Sequence, residues 1–114
     1  MQRTLTDYES RLIELLLAQD FPGRDELKLQ LKDLEAIPAG DKDNYGSILL
    51  KPHESKRAAV ETRVPVEGEY IDSDNVPVSV LLHVVDGYLH ELEVFKADGS
   101  DILERSPDLR IEIK

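Results

Sequence analysis

No cysteine occurs in these 114 residues. Disulfides, thiolate metal sites and cysteine nucleophiles are therefore excluded, and the composition suits a reducing compartment. Long apolar runs are missing as well. Leu15-Leu16-Leu17-Ala18 and Val80-Leu81-Leu82 fall far short of the roughly 20 residues that span a bilayer. Met1-Gln2-Arg3-Thr4 leads into no apolar core or small-residue cleavage site of a signal peptide. The sequence reads as a cytoplasmic protein. Bases are scarce, 14 against 24 acids, for a formal charge of −10. That balance argues against nucleic acid, whose binding needs clustered Lys and Arg, and equally against anionic membranes.

Catalytic signatures are also missing. There is no glycine-rich phosphate loop, no G-x-S-x-G elbow, no H-E-x-x-H and no plausible triad. Asp41-Lys42-Asp43-Asn44-Tyr45-Gly46 begins like a calcium loop. Its fifth position is Tyr45, however, and its twelfth is Pro52 instead of a bidentate Glu, so it reads as a turn. Asp72/Asp74 and Asp98-Gly99-Ser100-Asp101 read as turns too. The expectation is a protein that is not an enzyme and has no cofactor.

What is present suits one domain, 1–114, with one core. Thr6-Asp7-Tyr8-Glu9 matches a helix capping box, and Leu12, Ile13, Leu16 and Leu17 recur at helical spacing. This predicts a helix over Asp7–Gln19, stopped by Phe21-Pro22-Gly23. Leu27, Leu31 and Leu34 fit a second helix face, with Asp25 as cap, over Asp25–Leu34. After Pro38 the pattern turns to strands: Ser47–Lys51, Arg63–Ile71, Val76–Val85 and Tyr88–Phe95, with Leu109–Ile113 as a further edge strand. The fold class is α+β: an N-terminal helical hairpin packed on an antiparallel β-meander of four to five strands.

Asp86-Gly87 is a two-residue hairpin turn. Counting outward from it pairs Val84 with Leu89, His83 with His90, Leu82 with Glu91 and Val80 with Glu93. In that register one face carries Leu81, Val85, Leu92, Val94 and both histidines. The other carries Val78, Val80, Leu82, Val84, Leu89 and Phe95, together with Glu91 and Glu93. The helices would cover one face. The second needs loops, the tail or another protein.

His83 and His90 would then be cross-strand neighbours, close enough to share a metal, but no third ligand stands nearby. They are weak metal candidates beside the plainer reading of two half-buried, hydrogen-bonded histidines. Glu91 and Glu93 share a face, where they are solvated, dock a basic partner or serve acid/base chemistry. Between Glu61 and Glu93 lie eight acids and one base, Arg63, so −7 of the −10 is concentrated there. A patch of one sign speeds encounter with oppositely charged partners, although acidity also serves solubility alone.

The stretch Val76–Gly99 resembles a group of small bacterial proteins of unknown function. Their shared phrase is an apolar strand, D-G-x-L-x-E-L-E, an apolar residue, an aromatic, a base, then x-D-G. Here it reads Asp86-Gly87-Tyr88-Leu89-His90-Glu91-Leu92-Glu93-Val94-Phe95-Lys96-Ala97-Asp98-Gly99. Asp20-Phe21-Pro22-Gly23-Arg24 resembles the same group. The resemblance implies a small α+β fold and no catalytic residues. The leading expectation is an acidic protein-binding module of immunity or antitoxin type. It would occlude a basic toxin or enzyme with Glu67, Glu69, Asp72, Asp74, Glu91 and Glu93. The alternatives are a homodimer or complex subunit joined through an apolar sheet face, and a small metal-dependent or acid/base enzyme using His83, His90 and Glu91.

Overall fold

A capping box starts the first helix, α1 (Asp7–Leu17). The Glu9 N–H donates to the Thr6 hydroxyl at 3.1 Å, and the Thr6 N–H donates to the Glu9 carboxylate at 2.9 Å. Each side chain thus satisfies a backbone donor that the helix cannot. Leu12, Ile13, Leu16 and Leu17 are buried along one stripe. A computed structural model of the chain describes residues 3–38, 47–53 and 56–114. Asp41–Gly46, expected as a loop, lies outside the described residues.

Helix α2 (Arg24–Leu31) starts from Gly23, which adopts a left-handed φ of 89°. Gly23, and not Asp25, is therefore the cap. A side chain at this glycine would also strike Val60. The Arg24 guanidinium reaches back to the Leu17 and Gln19 carbonyls, which the end of α1 leaves without intrahelical donors.

The second helix ends three residues earlier than the leucine spacing suggests. Leu34, expected on that helix, instead opens strand β1 (Leu34–Pro38), a strand not anticipated from the sequence. Leu34 and Ala36 point into the core while Glu35 and Ile37 do not, which is the period-2 pattern of a strand. The remaining strands are β2 (Ile48–Pro52), β3 (Val66–Ile71), β4 (Pro77–Val85), β5 (Tyr88–Lys96) and β6 (Arg110–Ile113). The fold is α+β, with two helices and a six-stranded antiparallel sheet among the described residues, in the order β1-β2-β5-β4-β3-β6. This corrects the expected four to five strands. It also corrects the meander: β2 pairs with β5, across the sheet from β3. No helix among the described residues is long and apolar enough to cross a membrane.

Asp86 and Gly87 have φ of 54° and 82°, the two positive angles that a type I′ turn requires. Val85 pairs with Tyr88 and Val84 with Leu89, as expected. The register then slips. His83 faces Glu91, Leu82 faces Leu92, Leu81 faces Glu93 and Val80 faces Val94. His90 is the extra residue of a β-bulge. Without the bulge, Glu91 and Glu93 would enter the core and Leu92 would leave it. With it, Leu89 and Leu92 are both buried beside Val78, Val80, Leu82 and Val84. The helices close over this face, adding Leu12, Ile13, Leu16, Leu17 and Leu27 to the core.

Candidate functional site

Residues paired across neighbouring strands share a sheet face, so the register can be read outward from the core. The row Glu112, Glu67, Leu81, Glu93 crosses β6, β3, β4 and β5. Beside it runs Arg110, Glu69, Ser79, Phe95, and on the other side His83, Glu91, Leu49 and Ile37. These rows lie on the face opposite the helices. Four glutamates named from the sequence, Glu67, Glu69, Glu91 and Glu93, are therefore gathered on one face among half-buried Leu49 and Leu81. Phe95 is 44% exposed there.

Among the described residues the bases at this face include Arg63, whose guanidinium meets His83, Lys51 on β2, and Arg110 and Lys114 at the edge strand. Arg110 pairs with Glu69 at 3.0 Å, and Lys114 spans Glu67 and Glu112 at 3.4 and 3.3 Å. Glu91 has no ion pair among the described residues. A polar hollow of about 320 Å³ lies over β3 and β6 at one end of the sheet, lined by Glu67, Glu69, Ser79, Arg110 and Glu112.

The histidines do not meet as the simple register predicts. His83 faces Glu91, and its Nε2 lies 2.7 Å from the Glu93 carboxylate. Its Nδ1 accepts from the Arg63 guanidinium at 3.0 Å, so Nε2 carries the hydrogen that Glu93 receives. His90 occupies the bulge and is exposed. The shared-metal pair needed these side chains opposite each other, and the bulge separates them. No cluster of three metal-ligating side chains forms among the described residues.

Asp72 and Asp74 do not join the four glutamates. The Asp72 side chain is closed off from solvent and lies 2.9 Å from Lys96 Nζ. Its oxygens also accept from the N–H groups of Ser73, Leu103 and Glu104. Burial pushes this carboxyl up, but the Leu103 N–H, the Lys96 ammonium and the Ser73 N–H outweigh burial and hold it down at about 2. Asp74 takes a second proton of Lys96 at 2.8 Å, and the Asp101 carbonyl takes a third. Burial lowers the Lys96 ammonium, and the two aspartates more than reverse that. Nearby, the Tyr70 hydroxyl donates to the Glu104 carbonyl at 2.8 Å and the Tyr8 hydroxyl to the Ser106 carbonyl at 3.0 Å. Desolvation raises both phenols. This cluster pins the segment between β5 and β6 against the domain.

A second polar residue sits inside the core. Gln30 is fully buried. Its amide donates to the Lys56 and Gly87 carbonyls, and its oxygen accepts from the Leu89 N–H. It locks α2 to the hairpin turn. Sequence reading passed over it, because a lone Gln between Leu29 and Leu31 looks like a solvated helix position.

A family model described as Domain of unknown function (DUF6984) matches residues 2–106. No curated protein and no solved structure matches the chain.

Proposed function

We propose that this chain, which belongs to the family Domain of unknown function (DUF6984), is an acidic protein-binding module that docks a basic partner on its helix-free sheet face. The mode of action would be that of an immunity or antitoxin-like protein. The module occludes a positively charged surface, and Glu67, Glu69, Glu91 and Glu93 stand where that surface would otherwise meet anionic groups. The observation that supports this reading is the pair of rows through Leu81 and Ser79. They set glutamates beside Leu81 and an exposed Phe95. Interfaces are built as an apolar centre with a polar rim, and this face has both. Asp72 is left out of the docking set because its side chain is buried against Lys96 and held by the Leu103 N–H, and Asp74 because it lies in the turn between β3 and β4, away from the rows of glutamates.

The absence of cysteine suits a reducing compartment, which we take to be the cytoplasm. Of the apolar face first considered for association, Val78, Val80, Leu82, Val84 and Leu89 lie in the core, while Phe95 turns to the opposite face, so the docking reading rests on that opposite face. The test is capture of partners from the native host, followed by association kinetics at two salt concentrations. The expected partner is basic, and its association slows with salt. An acidic partner, or binding indifferent to salt, would overturn the reading.

A further inference from the structure

Among the described residues strand β6 ends the sheet, with β3 on one side only. The Lys114 N–H donates to the Pro65 carbonyl at 2.9 Å. Antiparallel ladders alternate, so Glu112 and Arg110 also aim their backbone groups at β3, while Ile111 and Ile113 aim theirs away from the sheet. The opposite edge differs. On β1 the Arg3 N–H donates to the Ala36 carbonyl at 2.9 Å, and the Ala36 N–H donates to the Arg3 carbonyl at 2.7 Å. An open edge strand is a template for another strand.

We propose that β6 pairs antiparallel with β6 of a second copy of this chain, centred on Ile111, and joins two sheets into one. The observation that selects this occupant is self-complementarity. Read against its own reverse, Asp108-Leu109-Arg110-Ile111-Glu112-Ile113-Lys114 sets Asp108 opposite Lys114, Leu109 opposite Ile113, Arg110 opposite Glu112 and Ile111 opposite itself. Ile111 exchanges both hydrogen bonds with its twin, using the outward groups that β3 leaves unused. Arg110 and Glu112 fall at non-hydrogen-bonded positions, where side chains approach most closely. One face of the junction is apolar and the other carries the charge pairs.

Charge also rejects neighbouring registers. Centring on Arg110 sets Arg110 against Arg110 and Glu112 against Asp108. Centring on Glu112 sets Glu112 against Glu112 and Arg110 against Lys114. Shifting by half a step puts charges opposite isoleucines and turns the faces over. Within one chain Glu112 stands directly across from Glu67, a like-charge pairing that disfavours a sheet. Lys114 bridges that pair within the chain, and in the dimer Arg110 of the second copy, which already meets Glu69 in its own chain, adds a second cation on the outer side of Glu112. The pairing is isologous, as a two-fold dimer requires, and it carries the two acidic faces in one continuous sheet.

The test is sedimentation of the full chain across a concentration series. The wild type is expected to reach twice the 12.9 kDa of one chain. R110E and E112R each set like charges together at both symmetric positions and should raise the dissociation constant about tenfold or more. An equimolar mixture of the two variants restores opposite charges at both positions, so a heterodimer should form where neither variant dimerises alone. Circular dichroism melts establish that each variant is folded. In the wild type, the amides of Ile111 and Ile113 should exchange more slowly in concentrated than in dilute samples, while that of Glu112 stays unchanged. A chain that remains at 12.9 kDa at high micromolar concentration would overturn the proposal. So would a dimer indifferent to both single variants, a mixture that fails to associate, or exchange at Ile111 that ignores concentration.

Discussion

Lys96 Nζ lies 2.9 Å from the Asp72 carboxylate, and both side chains are shut away from water. One is the last residue of β5 and the other follows β3, so the pair ties two strands to the segment that Asp72 holds through Leu103 and Glu104. Removing one partner of a buried pair strands the other charge. Asp72→Ala should therefore lower the melting temperature by several degrees, and by more than Asp74→Ala, whose carboxylate is 37% exposed. The double replacement Asp72→Leu with Lys96→Met should recover only part of the loss: no buried charge is left alone, but the Ser73, Leu103 and Glu104 N–H groups still lack their acceptor. Thermal melts of the four proteins decide it.

The same carboxylate predicts an acid limb. Asp72 is held at about 2, below its ordinary 3.8. A depressed acid stabilises the fold above its unfolded value, and that contribution is lost as pH falls through the folded value. Urea midpoints should therefore decline between pH 3.8 and about 2, with a shallower decline in Asp72→Asn. Lys96 is raised, so its contribution persists at lower pH and fades only as pH rises through its folded value, on the alkaline side.

Gln30→Leu keeps the bulk of the side chain but takes their partner from the Leu89 N–H and the Lys56 carbonyl, while the Gly87 carbonyl still accepts from the Ala58 N–H. Buried groups stripped in this way cost about 1–3 kcal/mol each when water cannot reach them. The expected loss is roughly 3 kcal/mol by urea unfolding. A loss under 1 kcal/mol would mean that water takes the place of the amide.

Gly87→Ala and Gly99→Ala separate strain from collision. Both glycines have positive φ, 82° and 75°. At Gly87 a β-carbon would lie 2.6 Å from the Ala58 carbonyl oxygen, whereas at Gly99 nothing lies within 4 Å. Gly99→Ala should cost about 1 kcal/mol through backbone strain alone. Gly87→Ala should cost roughly 2 kcal/mol or more. Equal losses would show that the Arg57–Ala58 segment moves aside.

Charge reversal divides the acidic face by rate constant. Glu67→Lys with Glu69→Lys, on β3 next to the edge strand, should slow association with the captured basic partner more than it speeds dissociation. Glu91→Lys, nearer the middle of the sheet and without an ion pair among the described residues, should act on dissociation and leave the fold intact. Glu93→Lys also breaks the contact with His83, so its melting curve must be read beside its kinetics.

Much of this molecule was legible locally. The capping box at Thr6, the stripe along α1, the turn at Asp86-Gly87 and the alternation of β4 are all short-range patterns, and each holds. The bulge at His90 also left a trace. Leu89 and Leu92 are three apart in a run that otherwise alternates toward Val94, and only an extra residue brings all three to one face. Reading the turn as a strict ladder missed that trace, and with it the true neighbours of His83. Strand β1 was missed because Leu27, Leu29, Leu31 and Leu34 satisfy helix and strand periods together.

By itself the sequence determined the charge, the absence of thiol chemistry, the first helix and the hairpin, because each depends on composition or on residues within a few positions of one another. Tertiary structure alone decided that β2 would lie beside β5, that Gln30 would turn inward, and that Asp72 would be buried under Lys96 while four glutamates gathered on the open face. Those outcomes depend on which distant segment competes best for each strand edge and each buried polar group. A local period records which side of a strand is apolar. It carries nothing about the partner that covers it.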